Sequence, residues 1–465
     1  MRNLTFFICA AAVGAIVFLI ARLIGNDYLF FAGYTVLQFI VLATAWNILG
    51  GYCGYVNFGS AAFFAVGAYS TVALHKLGTN IDRYAWESLA PLLKATMPLS
   101  IPTLTVIAGA VAGLIGFGTG YLTLRLRGAF FAIATLALAV VLQTLIVNWD
   151  YVGGSRGAYI IRPQSVPIIG SYIQYLFLLM IALAVIALTV ARVIERSRLG
   201  YGFATIRDDE LAAEACGVPT LRLKLIATTI SGGLMGMAGA SFPYYIGYLE
   251  PGSAFGLAYA VNSIAMPMIG GTTMWLGPLI GALLLGIIQQ IATVTISSAV
   301  NLLIVGLLLI GFVIMAPNGI VGLVRDFLRV AAPVQLDTRA LRILTIGGYC
   351  FLVGLGGVVF GLSAAMAARS PLLTGLGVFT IVLSLAYLAA AYGLLKLESW
   401  SPLLAVAALA ISIPLSLIFI WLDPSQFNVI GLTIAIVIDI VAIWLLQHPD
   451  IRRLYQPMLE QRALP

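Results

Sequence analysis

The chain has 465 residues, of which 62% are hydrophobic and 9% charged, and its formal net charge is +7. Soluble folds average about 25% charged residues, so a mean hydropathy of +1.07 excludes a water-soluble enzyme. The basic excess sits in short connecting loops, which removes the argument for nucleic acid. The two histidines (His75, His448) and four scattered cysteines (Cys9, Cys53, Cys216, Cys350) offer neither a metal-ligand spacing nor a disulfide framework.

A lipid-spanning helix needs roughly 20 apolar residues, and only helices satisfy their own backbone in lipid segment by segment. An all-α polytopic membrane protein is therefore expected. Leu4–Leu23 is the first apolar run, read as a retained helix because no Ala-x-Ala-like site closes it. Tyr28–Leu49 is the second. Gly50-Gly51-Tyr52-Cys53-Gly54 then breaks the pattern before a third segment, Tyr55–Leu74, and suits a re-entrant turn or a broken helix. A hydrophilic connection with the interface residue Trp86 follows. Thr103–Leu124 and Ala129–Val147 are joined by Arg125-Leu126-Arg127-Gly128, and Tyr172–Val190 is the sixth run.

The stretch Ser197–Lys224 is the longest strongly charged interval. Asp208 or Asp209 can cap a short helix there, and Glu210 places negative charge in its first turn. Leu211, Ala212, Ala213, Glu214 and Ala215 are mostly good helix formers, and Gly217 before Val218-Pro219 is a stop. The expected result is a short helix outside the bilayer, tethered at both ends to spans and flat enough for another protein to approach. An ordinary solvated loop is the alternative.

Beyond it come Leu225–Tyr245, where Gly232 and Gly236 form a small-residue face, then Phe255–Ile269 with Asn262 and Ser263, and the turn Gly270-Gly271. Leu276–Ile296 and Val300–Met315 precede Pro317-Asn318-Gly319. Four further runs (Ile343–Ala367, Pro371–Leu395, Pro402–Leu422, Val429–Leu446) bring the expectation to about fourteen membrane segments. The expected domains are a transmembrane core over 1–325, a linker over 326–342 and a four-span extension over 343–465. With alternating spans, the loops on the N-terminal side carry most of the 24 Lys and Arg. The other side receives Arg22, Lys76, Arg83, Lys94, Arg156, Arg162 and Arg369. The positive-inside rule then places both termini and the charged interval in the cytoplasm.

No Gly-x-x-x-x-Gly-Lys-Ser/Thr loop is present, and Asp439 is the main midspan carboxylate, so neither ATP binding nor a proton relay is evident. Ser197–Lys224 resembles the cytoplasmic coupling loop of ABC-importer permeases, with Glu210-Leu-Ala-Ala-Glu-Ala-Cys-Gly217 similar to their Glu-Ala-Ala…Gly signature. The glycine-rich Asn47–Tyr69, Arg125–Leu136, Gly153-Gly154-Ser155, Gly270-Gly271 and Pro317-Asn318-Gly319 fall in the order of the branched-chain amino-acid permease family, which also includes urea and amide permeases. The resemblance covers about residues 25–325. Ser60 stands where the family often has His, Val140 where a polar or acidic residue is common, and the last four runs have no counterpart.

The resemblance implies a permease subunit in a prokaryotic inner membrane. It would import branched-chain amino acids or similar small polar solutes with a sister permease, ATPase subunits and an extracytoplasmic substrate-binding protein. ATP would be bound by the ATPase, and the chain would need no cofactor and catalyse no reaction. Arg207, Asp208, Asp209, Glu210 and Glu214 are then candidates for polar contacts with the ATPase. Ala212, Ala213 and Ala215, before the Gly217 stop, would pack in its groove. Asn47, Asn57, Ser60 and Asn262 are candidates for the solute path, because uncharged polar groups can hydrogen-bond a polar solute and release it. An interhelical bond is the alternative for each. An ion-coupled secondary transporter and a membrane scaffold stay open as other classes.

Overall fold

The computed structural model describes residues 2–79, 99–123, 126–161, 165–166, 170–295, 306, 319–331, 338–367, 371–396, 398–422 and 429–448. Arg125, the connection around Trp86, the run Val300–Met315 apart from Gly306, and Pro317-Asn318 lie outside them. Among the described residues, ten helices are long and apolar enough to cross a membrane, and two more apolar helices are shorter. Of the fourteen expected segments, the third, at Ser60–Thr79, is a helix outside those ten. The ninth and fourteenth correspond to the two shorter ones, at Leu276–Ile291 and Leu432–Gln447. The chain is an all-α polytopic membrane protein that divides into two compact units, 1–287 and 288–465.

In the first unit, α1 (Arg2–Ile24) is apolar on every side and largely exposed, as a lipid-facing helix should be. Helix α2 (Asp27–Gly50) is buried along most of its length. Residues 51–59 are not helical, and α3 (Ser60–Thr79) continues the chain. Next come α4 (Ile101–Thr123), α5 (Ala129–Val147) and α6 (Tyr172–Glu195). Two helices follow outside the spans, α7 (Arg198–Asp208) and α8 (Glu210–Ala215). Helix α9 (Thr220–Ala240) runs into the short α10 (Phe242–Ile246), α11 (Pro251–Ala254), α12 (Leu257–Gly270) and α13 (Leu276–Thr295).

The centre of this unit is α9, packed between α3 and α4. The small-residue face read from the sequence is used here. A side chain on Gly67 of α3 would overlap the carbonyl of Gly236, and one on Gly236 would overlap Ala112 of α4. Backbones this close gain dispersion contacts that lipid tails cannot match. At the end remote from α7 and α8, β1 (Ala158–Tyr159) and β4 (Tyr248–Leu249) pair antiparallel, Ala158 opposite Leu249. A second two-residue pair joins β2 (Ser165–Val166) to β3 (Gly170–Ser171).

The second unit contains α14 (Gly319–Ala331), α15 (Thr338–Ala367), α16 (Pro371–Leu395), α17 (Ser401–Leu422) and α18 (Val429–Gln447). The last four form a bundle around Ile346, Cys350, Leu383, Leu394, Leu409 and Phe419.

Candidate functional site

The site grows from α8. Asp209 is extended (φ −160°, ψ 107°), and its carboxylate accepts the Ala212 amide at 3.0 Å. That satisfies one of the donors every helix leaves open at its start. Gly217 ends the turn at φ +81°, a conformation that costs L residues with a Cβ. The Val218 amide reaches back to the Ala213 carbonyl at 3.0 Å. The short helix expected from the sequence is thus present with both of its expected caps. The segment before it, α7, is helical as well, which the sequence reading did not separate out.

The two faces of α8 differ. On the inner face Ala213 is buried, and Glu210 reaches into the body of the unit. Its Oε1 lies 2.7 Å from Nζ of Lys224, which is only 3% exposed, and 3.6 Å from Nε of Arg127. Its Oε2 accepts the Tyr55 hydroxyl. Lys224 also donates to Tyr55 at 3.2 Å. Burial pushes the Glu210 pKa up, but hydrogen bonds from Lys224 and Tyr55 and the charges of Lys224 and Arg127 outweigh it. The carboxyl ends below its ordinary range. Glu214 accepts from Arg127 at 3.0 Å and from Thr220 at 2.8 Å. On the outer face Leu211, Ala212, Ala215, Cys216 and Gly217 are exposed, Leu211 at 64%. Arg207 and Asp208 pair with each other at the surface, 3.1 Å apart.

Residues 51–59, the break between α2 and α3, lie directly against this assembly. Gly54 (φ +80°) sits so close to Arg207 that an added Cβ would press on its Cα at 3.2 Å. Tyr52 donates to Glu195 at 3.4 Å, and Glu195 also accepts the Trp275 amide at 2.7 Å. The break after α2 and the turn after α12 therefore meet at the end of α6. Arg192, one turn earlier, stacks over Phe6 at 3.9 Å, which brings the start of α1 to this same end. The non-helical backbone is mostly buried in protein, the condition under which irregular chain is tolerated at membrane depth.

The four path candidates separate. Asn57 shapes backbone: its Oδ1 accepts the Gly59 amide at 2.7 Å. Ser60 pairs with Ser263 at 2.8 Å, joining the start of α3 to α12. Asn262 is the neighbour of Ser263 on α12, and its side chain is also engaged. Asn47 is 1% exposed, yet neither side-chain polar atom makes a hydrogen bond of ordinary length and angle, although Tyr52 is close enough to feel it. Sequence reasoning passed over Lys224, Tyr55, Arg127 and Glu195. The signal for Lys224 was there: a lysine inside the apolar run Leu223-Lys224-Leu225-Ile226 requires a partner.

A family profile described as "Branched-chain amino acid transport system / permease component" matches residues 28–313. Among curated proteins, the chain is 26% identical over 317 residues to the high-affinity branched-chain amino acid transport system permease protein LivM of Escherichia coli. That match covers 63% of this chain and 69% of the relative. It is 25% identical over 284 residues to a probable branched-chain amino acid transport permease protein LivH of Methanocaldococcus jannaschii, covering 57% and 82%. It is 24% identical over 212 residues to the autoinducer 2 import system permease protein LsrC of Yersinia enterocolitica, covering 43% and 57%. No solved structure matches.

Proposed function

The chain belongs to the branched-chain amino acid transport permease family, and on that premise we propose that it is the membrane-spanning subunit of an ATP-driven importer. Its cargo is a branched-chain amino acid or a similar small polar solute, as the names of LivM and LivH suggest. The chain is a transport subunit and performs no chemistry itself. ATP is bound and hydrolysed by separate ATPase subunits in the cytoplasm, where the basic loops place the α7–α8 end. A sister permease completes the path, and a substrate-binding protein docks at the end that carries the β1–β4 pair.

The observation that supports this reading is the division of labour on α8. Its Glu210 is spent inward, on Lys224 and Tyr55, while Glu214 pairs at the surface with Arg127 and accepts from Thr220. Its outer face offers a leucine and small side chains to a partner. The ATPase contact is then mainly Leu211, Ala212, Ala215 and Gly217, rimmed by Arg207, Asp208 and Asp209. The carboxylate of Glu210 anchors the helix to the spans. A push on α8 reaches Tyr55 through Glu210 and Gly54 through Arg207, and so moves the break between α2 and α3. Asn47 and Ser60 flank that break and, with Asn262, form the proposed path. Alternating access is rigid-body movement of this linked assembly between two states.

Two experiments test the reading. Purification in mild detergent followed by mass spectrometry should recover an ATPase and a sister permease. In proteoliposomes of the recovered complex, Ala215→Arg and Leu211→Arg should leave ATP hydrolysis running while uptake of labelled leucine, isoleucine and valine falls at least tenfold. Unchanged uptake in both variants would refute the docking face.

A further inference from the structure

The C-terminal bundle holds a second constellation, outside the permease core. A cavity of about 270 Å³ lies among α15, α16, α17 and α18, and each helix contributes to its wall. Asp439 of α18 lines it at 2% exposure. Its Oδ1 accepts the Tyr349 hydroxyl of α15 at 2.7 Å, and its Oδ2 accepts the Ser412 hydroxyl of α17. Among the described residues, no lysine or arginine pairs with it. Tyr387 of α16 is buried to 2%, lines the same cavity, and has an Oη that makes no hydrogen bond of ordinary geometry. The rest of the wall is mainly apolar, with the hydroxyls of Thr380, Ser384 and Ser416 set among residues that include Phe360 and Phe419 in an edge-on pair 5.3 Å apart.

Bundle cohesion explains little of this. A four-helix bundle needs no carboxylate at its centre, and a lone charge there is expensive unless something neutralises it. Each carboxylate oxygen has room for two donors, and Tyr349 and Ser412 supply one apiece. Acceptor capacity therefore remains beside the cavity, next to the Tyr387 oxygen, which has Ser412 near by but makes no bond of ordinary geometry. Aromatic rings near by favour a cation further. The volume exceeds the roughly 150 Å³ of an apolar cavity that takes up benzene. We propose that this cavity binds a small organic cation, a primary ammonium group carrying an apolar body, with the ammonium on Asp439 and Tyr387 and the apolar part against Phe360 and Phe419. The extension would then be a ligand-binding module fused to the permease. This site uses none of the residues of the proposed solute path, so either assignment can fail without the other.

The test uses the purified full-length chain in detergent, titrated with 2-phenylethylamine, hexylamine and the uncharged analogue 2-phenylethanol by calorimetry. The amines should bind saturably, and the alcohol at least tenfold more weakly. Asp439→Asn keeps the shape and one acceptor oxygen, with its NH2 donating to the second hydroxyl oxygen, and should weaken the amines at least tenfold without changing the elution profile of the protein. Ser416→Phe, which fills the cavity from its wall and leaves Asp439 intact, should abolish binding; it decides the matter if the asparagine variant does not fold. Equal affinity for amine and alcohol, or no amine binding by well-folded wild-type protein, would overturn the proposal.

Discussion

Lys224 Nζ and Glu210 Oε1 are 2.7 Å apart and nearly out of water, the lysine on a membrane-spanning helix and the glutamate on the short helix outside it. Removing one partner of such a pair leaves a buried charge uncompensated, at a cost of about 3–5 kcal/mol. Lys224→Met and Glu210→Gln should each lower the thermal midpoint and uncouple uptake from ATP hydrolysis. The double variant Lys224→Met/Glu210→Leu should regain most of the stability and none of the uptake. A double variant that transports normally would show that the pair is mere packing.

The same glutamate sets a pH dependence. Its folded-state pKa lies below the ordinary value, so it contributes stability that is fully present above the unfolded carboxyl's pKa of about 4.3. That contribution is lost as pH falls through the lower folded-state pKa. The stability gap between wild type and Glu210→Gln should be flat from pH 8 to about pH 5 and should close only in stronger acid. Thermal melts in detergent across that range measure it; a gap that closes near neutrality would contradict the assignment.

Arg127 and Glu214 are both well exposed, at 49% and 40%. Surface pairs of this kind contribute about 0–1 kcal/mol. Arg127→Ala should lower the stability by no more than about 1 kcal/mol, and added salt should shrink the effect.

The contact of α3 with α9 predicts a sharp contrast between two glycines. Gly67→Ala forces a methyl into the Gly236 carbonyl, and overpacking of this kind costs about 1–3 kcal/mol or more. Gly118 on α4 has open space around it. Gly118→Ala should be neutral or slightly stabilising, because alanine is the better helix former. Yield and thermal midpoint of the two variants, side by side, provide the comparison.

Asn47 and Asn57 should also part company. Asn57→Ala removes the acceptor of the Gly59 amide and should cost roughly 1 kcal/mol. Asn47→Ala removes an amide with no ordinary internal partner, so stability should hold while uptake drops. Loss of stability with intact uptake in Asn47→Ala would place it among the packing residues.

Much of this was legible in the chain. The Asp209 cap and the Gly217 stop follow from local chemistry that depends on three or four neighbours. The small-residue face at Gly232 and Gly236 follows from helical spacing. The direction in which Glu210 points was not legible, because its partners Tyr55, Arg127 and Lys224 arrive from three separate parts of the chain. An acidic residue in a charged interval reads as solvated until the fold brings a lysine to it. Asn57 shows the opposite case. Its bond is to a backbone amide two residues away, a turn habit that residue type alone does not distinguish from solute binding.

Leu211 of α8 at 64% exposure and Tyr201 of α7 at 72% are left bare. If the proposed ATPase covers this face, a cell that makes the subunit in excess of it carries a sticky knob on every surplus copy. Such orphans invite clumping and disposal by quality-control proteases. Balanced synthesis of the subunits follows as a requirement of the fold.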